Sequence, residues 1–171
     1  MEEKKTVDTL NYYDGISRGY NFLYGEEQKE KLNHFIEYIR DDSIILDAGA
    51  GTGIINEYIP NTSKLISIDL SQELLKYNLN ENKIQADLQK IPIKKNKINC
   101  IICLTVIQDV ILKEKVLENF YEILNNDGIL IISYINKSKA AEEIEECIKK
   151  YFSITEKIYQ EKDIINICKK N

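Results

Sequence analysis

Short apolar runs alternate along the chain with segments of helical periodicity. The apolar runs predict strands at residues 43–46, 64–68, 83–86, 98–104 and 129–133. The segments around them predict an irregular helical lead over 6–24 and helices at 26–40, 54–59, 72–79, 113–124 and 138–151. In residues 26–40 the apolar positions recur at i, i+3, i+4 and i+7, which makes one buried stripe of Leu32, Phe35, Ile36 and Ile39. Strands that are apolar throughout are typical of a parallel sheet covered on both faces.

The end of the chain departs from this alternation. Two further strands are predicted near residues 153–159 and 163–169, only a few residues apart. A parallel crossover needs about a dozen residues or more, so these strands should form an antiparallel hairpin. The expected fold is α/β, a doubly wound, seven-stranded, mostly parallel sheet with one antiparallel strand. We expect a single domain over 1–171, with a lid-like N-terminal segment at 1–25 and an α/β core at 26–171.

Composition is that of a soluble globular domain. The 171 residues are 43% hydrophobic and 30% charged, and no apolar run approaches the ~20 residues of a membrane helix. No apolar stretch follows the first residues, so no signal peptide is expected and the predicted location is the cytoplasm. The formal net charge of -5 disfavours nonspecific nucleic-acid binding over the whole surface. The lysine cluster at Lys90, Lys94, Lys95 and Lys97 is interpreted as a solvated loop.

The four cysteines do not predict a metal or redox site. Cys100 and Cys103 form a C-x-x-C pair within an apolar strand, where positions three apart point to opposite faces. Zinc would need a second cluster of ligands, and the only histidine, His34, borders the apolar stripe of its helix. We therefore expect buried apolar thiols, a structural histidine and no bound metal.

A glycine-rich turn is the strongest local signal of a binding site. Residues 46–53 read Leu-Asp-Ala-Gly-Ala-Gly-Thr-Gly, between a predicted strand and a predicted helix. Glycine lets the backbone approach a ligand closely, and open α/β sheets bind ligands at the carboxyl ends of their strands. The spacing G-x-G-x-G departs from the dinucleotide pattern G-x-G-x-x-G, because Ile54 stands where the third glycine belongs. No Gly-Lys-Ser/Thr ends the turn, so it is not a P-loop.

Three carboxylates end three successive predicted strands. Asp47 precedes the glycine turn, where it would repel phosphates but hold an ammonium group. Asp69 follows the second strand, and a carboxylate there can accept both hydroxyl protons of a ribose. Asp87 follows the third strand, where it can accept from the exocyclic amino group of an adenine. Each alone is explained equally well as a cap or turn residue, but three in register indicate one shared site.

Together these motifs resemble the class I S-adenosylmethionine-dependent methyltransferases of the small type-11-like group. The resemblance covers nearly the whole chain. Residues 46–53 match the first motif of that family, and Asp69 matches its ribose-binding acid. Asp87 with Leu88 matches its adenine-binding pair. The resemblance implies a methyltransferase with S-adenosylmethionine as cosubstrate.

Two weaker matches flank these motifs. Residues 124–130 are similar to the family's L-K-P-G-G-x-L turn into the fifth strand. Residues 13–21 resemble its N-terminal Y-D-x-x-A-x-x-Y-D segment, from which Asn21 departs. The cofactor-binding residues that the resemblance implies are Tyr13, Asp47, Gly49, Gly51, Gly53, Asp69, Leu70, Asp87, Leu88 and Leu104.

The acceptor side of the site is less defined. Methyltransferases of exocyclic amines or amides often carry Asn/Asp-Pro-Pro-Tyr/Phe after the fourth strand, and residues 104–109 contain no proline. This argues against the methyltransferases that act on the amino group of adenine or on the amide of glutamine. Asp109 is a candidate base, but helix capping or solvent exposure is the favoured interpretation. No catalytic residue is therefore assigned.

Several acceptors and two other functions stay open. Without a large insertion the site is expected to be open, which suits tRNA, rRNA or protein. A small molecule is the alternative if the N-terminal tyrosines close over the crevice, namely Tyr12, Tyr13, Tyr20 and Tyr24. Some small family members need an activating partner subunit, so the resemblance leaves such a partner open, and no membrane partner is expected. The other functions are a nicotinamide-dependent oxidoreductase and a non-catalytic binding module on the same fold.

Overall fold

A seven-stranded sheet forms the centre of the molecule. The computed structural model describes residues 2–171, with side chains from Thr6 onward. The strands are β1 (Ile44–Ala48), β2 (Lys64–Asp69), β3 (Lys83–Gln85), β4 (Ile98–Leu104), β5 (Leu124–Ile135), β6 (Phe152–Tyr159) and β7 (Asp163–Lys170). The helices are α1 (Glu2–Ile16), α2 (Tyr20–Asn33), α3 (Gln72–Leu75), α4 (Lys113–Ile123) and α5 (Ala141–Tyr151), with short 3-10 turns between several elements.

The order of the strands in the sheet is β3-β2-β1-β4-β5-β7-β6. All pairs from β3 to β5 are parallel, whereas β7 runs antiparallel to both β5 and β6. The chain leaves β1 towards β2 on one side and returns to β4 on the other. This reversal creates a crevice at the carboxyl ends of β1 and β4. The predicted doubly wound sheet with one reversed strand is confirmed.

Two separate apolar clusters cover the faces of the sheet. One packs α4 and α5 on the sheet and includes Cys103 and Phe120. The other packs the end of α2 and the turn after it on the opposite face, with Cys100 and Phe35. The two cysteines therefore point to opposite faces, and all four cysteines are free and buried, as predicted. Burial raises the pKa of the Cys100 and Cys103 thiols to about 12, so they stay protonated.

The N-terminal helices differ from the predicted ones. The expected irregular lead is regular helix, since α1 and α2 are joined only by the 3-10 turn Ser17–Gly19. The helix predicted over 26–40 begins earlier, at Tyr20, and ends at Asn33. A 3-10 turn, Ile36–Tyr38, replaces its last turn. The apolar periodicity did not reveal this change, because the tighter turn still buries Phe35 on the sheet.

Two other predicted elements are also changed. The helix predicted over 54–59 is a 3-10 turn, and α3 has only four residues, capped as predicted by Ser71. Residues 125–128, predicted to be a turn, belong to β5 instead. The register with β4 passes from Ile98–Leu124 to Cys100–Ile129, so these residues form a bulge. The polar residues thus leave the ladder without reversing the chain.

Charged and polar surface groups lie largely where the sequence places them. The four lysines at 90, 94, 95 and 97 are exposed, and Lys95 pairs with Glu122 at 2.8 Å. His34 is exposed just after α2. Within the described part of the chain, no helix combines the length and the apolar content needed to cross a membrane.

One buried ion pair connects the N-terminal helices to the C-terminal hairpin. Lys31 on α2 is fully buried, and its Nζ lies 2.7 Å from Oδ2 of Asp163 at the start of β7. The same ammonium donates to Oε1 of Glu27 at 3.0 Å and to Oγ1 of Thr105 at 2.7 Å. Because an ammonium has three N–H donors, these acceptors satisfy it completely. The contact holds α2 against the ends of β4 and β7.

Replacing Lys31 should destabilise the fold, because Asp163 would lose its buried cation. Lys31→Met should lower the free energy of unfolding by about 3–5 kcal/mol, because the Asp163 carboxylate stays buried without its cation. The double variant Lys31→Met/Asp163→Asn should recover part of the loss. Lys29→Met is the matched control, since Lys29 pairs with Glu26 on the exposed side of the same helix and should change the free energy of unfolding little. Equal losses for Lys31 and Lys29 in urea unfolding would contradict the expectation.

Candidate active site

A cavity of about 640 Å³ lies at the carboxyl ends of the parallel strands. Segments that follow β1, β2, β3 and β4 form one side, and α1 and α2 form the cover. The end of β5 and the turn between β6 and β7 complete the wall. The volume lies within the ~300–1,000 Å³ of small-molecule sites. Its position is the one at which open α/β sheets bind ligands.

The loop after β1 turns sharply through three glycines. Gly49, Gly51 and Gly53 have φ angles of 84°, 51° and 79°, in the left-handed region. A Cβ atom at Gly49 would overlap the side chain of Val106, so a larger residue does not fit there. Gly49 and Gly51 line the cavity, whereas Gly53 packs against Asn78 outside it. The predicted cofactor contact of Gly53 stays a prediction, and its backbone conformation explains the glycine independently.

Strand β2 holds this loop in place. The amides of Gly49 and Ala50 both donate to the carbonyl oxygen of Ile68, at 2.8 and 2.9 Å. The amide of Gly51 donates to Oδ2 of Asp69 at 2.8 Å. The two strand ends therefore form one backbone frame before any ligand is considered.

Asp69 keeps hydrogen-bonding capacity for a ligand. Its Oδ1 accepts from the amide of Ser71 and its Oδ2 from that of Gly51, both at 2.8 Å. A carboxylate offers about four lone-pair sites, so about two stay free in a residue that lines the cavity. Burial raises the pKa of Asp69, while these backbone N–H groups lower it.

Asp47 is buried behind the glycine loop and is not part of the cavity wall. Burial, and second the charge of Asp69, raise the pKa of Asp47 to about 8. Near neutral pH the carboxyl group is therefore largely protonated when no cation is close. A bound cation would favour its ionised form. The predicted contact of Asp47 with a cofactor stays a prediction.

Asp87 begins the 3-10 turn that follows β3. Its Oδ1 accepts from the amide of Gln89 at 2.8 Å, and its Oδ2 accepts from the Gln89 side chain at 3.0 Å. Asp87 and Leu88 line the cavity, as do Leu70 and Leu104. Of the ten residues predicted to bind cofactor, the structure thus brings eight to one cavity and leaves Asp47 and Gly53 behind it.

One face of each N-terminal helix covers the cavity. On α1 the lining residues include Thr6, Thr9, Leu10 and Tyr13, at i, i+3, i+4 and i+7, and also Tyr12. On α2 they are Tyr20, Tyr24, Glu27 and Gln28. The ring of Tyr20 lies 6.4 Å from that of Tyr13 and 5.3 Å from that of Tyr24, between centroids. The tyrosines therefore form the side of the cavity that the N-terminal helices contribute.

Two hydrogen bonds tie this cover to the cofactor-side loops. Thr52 Oγ1 in the glycine loop donates to Oδ1 of Asn21, and Ser71 Oγ after β2 donates to Oδ1 of Asp14. Asn21 is the position at which the sequence departs from the family pattern. Asparagine retains a side-chain oxygen that accepts a hydrogen bond, so the departure does not remove the contact.

A third bond joins the cover to the turn after β4. The hydroxyl of Tyr13 donates to Oδ2 of Asp109 at 2.8 Å. The favoured interpretation of Asp109 is a helix cap or a solvent-exposed residue. Asp109 does not cap α4, which begins after Leu112 without a side-chain cap, and it is half-buried rather than fully exposed. Three residues separate Asp109 from the helix, so its carboxylate is directed to the cavity cover instead. Burial, and second the charge of Asp109, raise the pKa of Tyr13, which keeps the phenol a donor.

Thr105, at the end of β4, has a φ of 58°, which is rare for a β-branched residue. Its amide donates to both the carbonyl and the hydroxyl oxygen of Ser133, at 3.1 and 2.9 Å, and its Oγ1 accepts from Lys31. These contacts hold a strained backbone at the edge of the cavity. Sequence reasoning missed Thr105 and Lys31, because neither belongs to a local motif.

The site matches a known family. A sequence model described as a methyltransferase domain matches residues 46–132, which include the glycine loop, Asp69 and Asp87. The chain belongs to this methyltransferase family. The type-11-like resemblance stated from the sequence is confirmed.

The chain also resembles individual proteins of known sequence and of known structure. It is 33% identical over 105 residues to "Uncharacterized protein MJ0638" of Methanocaldococcus jannaschii, a match that covers 61% of this chain and 46% of that protein. The chain therefore spans less than half the length of this curated relative. Among solved structures, the 1,6-didemethyltoxoflavin-N1-methyltransferase of Burkholderia thailandensis, with bound S-adenosylhomocysteine, gives a TM-score of 0.83 at 10% identity, covering 100% and 91% of the two chains. The (4+2)-cyclase SpnF gives 0.76 at 15% identity, covering 88% and 73%.

Asp47→Asn tests the raised pKa of the buried acid. The folded-state pKa of about 8 lies above the ~3.9 of an unfolded aspartate, so wild-type stability falls as pH rises between these values. The free energy of unfolding of the variant, relative to wild type, should rise by up to about 1.4 kcal/mol per pH unit in that window and level off above it. Urea unfolding at pH 5, 6, 7, 8 and 9 measures the difference. The exposed Asp41→Asn is the control, and a pH-independent difference for both variants would contradict the prediction.

Proposed function

We propose that this methyltransferase transfers the methyl group of S-adenosylmethionine to a nucleophile bound in the same cavity. The observation that carries the proposal is the convergence of Gly49, Gly51, Asp69 and Asp87 on one cavity at the strand ends. The fold by itself does not establish this activity, because one of the structural neighbours that share it is a cyclase.

The residues fit the chemical groups of this cosubstrate. Asp69 has about two lone pairs left for the hydroxyl groups of a ribose. Asp87 can accept from the amino group of an adenine, and Leu70 and Leu88 supply apolar surface nearby. Asp47, buried behind the loop, would ionise in response to a cationic group on the cofactor.

The protein's contribution to the reaction is alignment and exclusion of water. S-adenosylmethionine supplies an electrophilic methyl group on a positively charged sulfur. The glycine loop and Asp69 fix the position of the cofactor, and the end of β4 faces the place of the acceptor. The α1–α2 cover keeps bulk water out of the cavity, which favours a direct displacement.

The geometry disfavours the oxidoreductase alternative. Dinucleotide-binding loops place a pyrophosphate at the N-terminus of an α-helix. Here the loop leads into the 3-10 turn Ile54–Tyr58, and Asp69 accepts from the loop amide of Gly51. A non-catalytic binding module with the same cavity would bind the cofactor without turnover, and methyl transfer distinguishes it.

For the acceptor, we propose a small molecule. The α1–α2 cover lines the cavity with Tyr13, Tyr20 and Tyr24, which leaves less room for tRNA, rRNA or a protein segment than for a small molecule. An activating partner subunit would act by binding this cover from outside. If the acceptor were a macromolecule, or if a partner subunit were required, the free chain should have little methyl-transfer activity on small molecules. With a small-molecule acceptor, the free chain should be active by itself.

Ligand binding tests the cofactor assignment. The protein should bind S-adenosylmethionine and S-adenosylhomocysteine, but not NAD, in isothermal titration calorimetry. Asp69→Ala should weaken both adenosyl ligands by roughly 10- to 150-fold, because a hydrogen bond to a charged group contributes about 1.5–3 kcal/mol. Glu73→Ala is the control, since Glu73 lies on α3 outside the cavity wall. Binding of NAD alone would sink the assignment, whereas an unchanged affinity of Asp69→Ala would mean that Asp69 is a turn residue only.

Hydrogen exchange tests whether the cover behaves as a lid. Residues 6–24 contact the core through few hydrogen bonds, so they should open at low free-energy cost without ligand. Saturating S-adenosylhomocysteine should slow amide exchange in this segment and leave β1 and β4 unchanged. Equal exchange with and without ligand would show a fixed cover.

A further inference from the structure

Beyond the end of β4 the cavity wall is mostly apolar. Leu104, Val106, Val110 and Ile111 line it there together with the polar residues Thr105 and Gln108, and the charged residue among them is Asp109. All seven belong to β4 or the turn that follows, so they form one continuous surface. A wall of this kind fits a ligand with an apolar body and one polar group placed at the carboxylate.

Asp109 has a neutral hydrogen-bond partner. Its Oδ2 accepts from the Tyr13 hydroxyl at 2.8 Å. Asp163 and Glu27, in contrast, are both paired with the ammonium of Lys31. Among the side chains from Thr6 onward, no lysine or arginine forms an ion pair with Asp109. A partly buried carboxylate without a cation is stabilised when a ligand brings one.

On the basis of the function proposed above, we propose that the methyl acceptor is a small amine with an apolar body, held through its nitrogen by Asp109. The Tyr13 hydroxyl occupies Oδ2 and leaves Oδ1 to accept the N–H groups of the amine. Tyr13 comes from α1, so the amine subsite is complete only when the cover is in place. Tyr13 is thus a positioning residue.

The reaction balances with this assignment. The acceptor arrives as an ammonium ion and gives one proton to Asp109, which frees the lone pair of the nitrogen. The lone pair forms a bond to the methyl carbon, while the carbon–sulfur bond breaks and its electron pair stays on sulfur. The products are the methylated ammonium ion and S-adenosylhomocysteine. Asp109 then releases its proton to water.

A phosphate-rich acceptor fits this part of the cavity poorly. Asp109 would repel phosphate groups at short range. The lysines in the cavity wall, Lys137 and Lys162, are exposed, and Lys162 lies 3.6 Å from Glu27. An RNA strand would also have to break the contact between Tyr13 and Asp109.

The test uses three probes of one shape on the protein saturated with S-adenosylhomocysteine. They are benzylamine, benzyl alcohol and benzoate, with dissociation constants from ligand-observed NMR at pH 7. Benzylamine should bind at least about tenfold more tightly than benzyl alcohol, and benzoate most weakly. Asp109→Asn should weaken benzylamine by roughly 10- to 150-fold and leave benzyl alcohol within about threefold.

Two control variants separate charge from structure. Tyr13→Phe keeps the carboxylate and should keep the preference for the amine, with a loss below about tenfold. Asp127→Asn, on the exposed bulge of β5, should change nothing. Thermal unfolding and S-adenosylhomocysteine affinity of each variant show that it is folded.

Each result decides between the proposals. Failure of the wild type to bind S-adenosylhomocysteine contradicts the proposed function itself. Normal cofactor binding without a preference for the amine, or with a preference that survives Asp109→Asn, overturns the amine acceptor alone. Binding of none of the three probes to the cofactor complex also overturns it.

Discussion

The hydrogen bonds between the glycine loop and the end of β2 underlie the whole site. The Ile68 carbonyl and the Asp69 carboxylate together hold three successive amides of the loop, from Gly49 to Gly51. The loop can follow this path because its glycines adopt positive φ angles. The same bonds bring Asp69 close to Asp47, whose ionisation is then opposed by burial and by a neighbouring charge. The same few hydrogen bonds therefore determine the position of Asp69, the backbone conformation of the glycine loop and the electrostatic environment of Asp47.

The N-terminal helices extend this frame to the rest of the cavity. They bond to the loops after β1, β2 and β4 through three different side chains. Because the cover contacts the loops after β1, β2 and β4, its position affects the shape of the whole cavity. The buried Lys31 anchors α2 from behind, near the end of the helix.

Lys31 also connects packing to the shape of the active site. Its ammonium contacts Thr105, whose unusual backbone conformation directs the chain from β4 into the turn that carries Val106 and Asp109. Val106 in turn packs against Gly49 in the cofactor loop. The glycine-rich turn after β1 and the strained turn after β4 thus pack against each other across the crevice. The chemistry performed in that crevice depends on these side chains, since the fold itself supports more than one reaction.

The sequence alone determined the sheet, its reversed strand and eight of the residues that line the cavity. Apolar strand patterns, glycine spacing and acids at strand ends are local signals, and each survives intact in the structure. The local pattern did not predict the bounds of α2 or the bulge at 125–128. Several backbone conformations suit these segments locally, and packing on the sheet determines which one forms. Only the tertiary structure revealed the Tyr13–Asp109 contact, the strained Thr105 and the buried Lys31. These partners are far apart in the chain, so no spacing rule relates them, and folding alone brings them together.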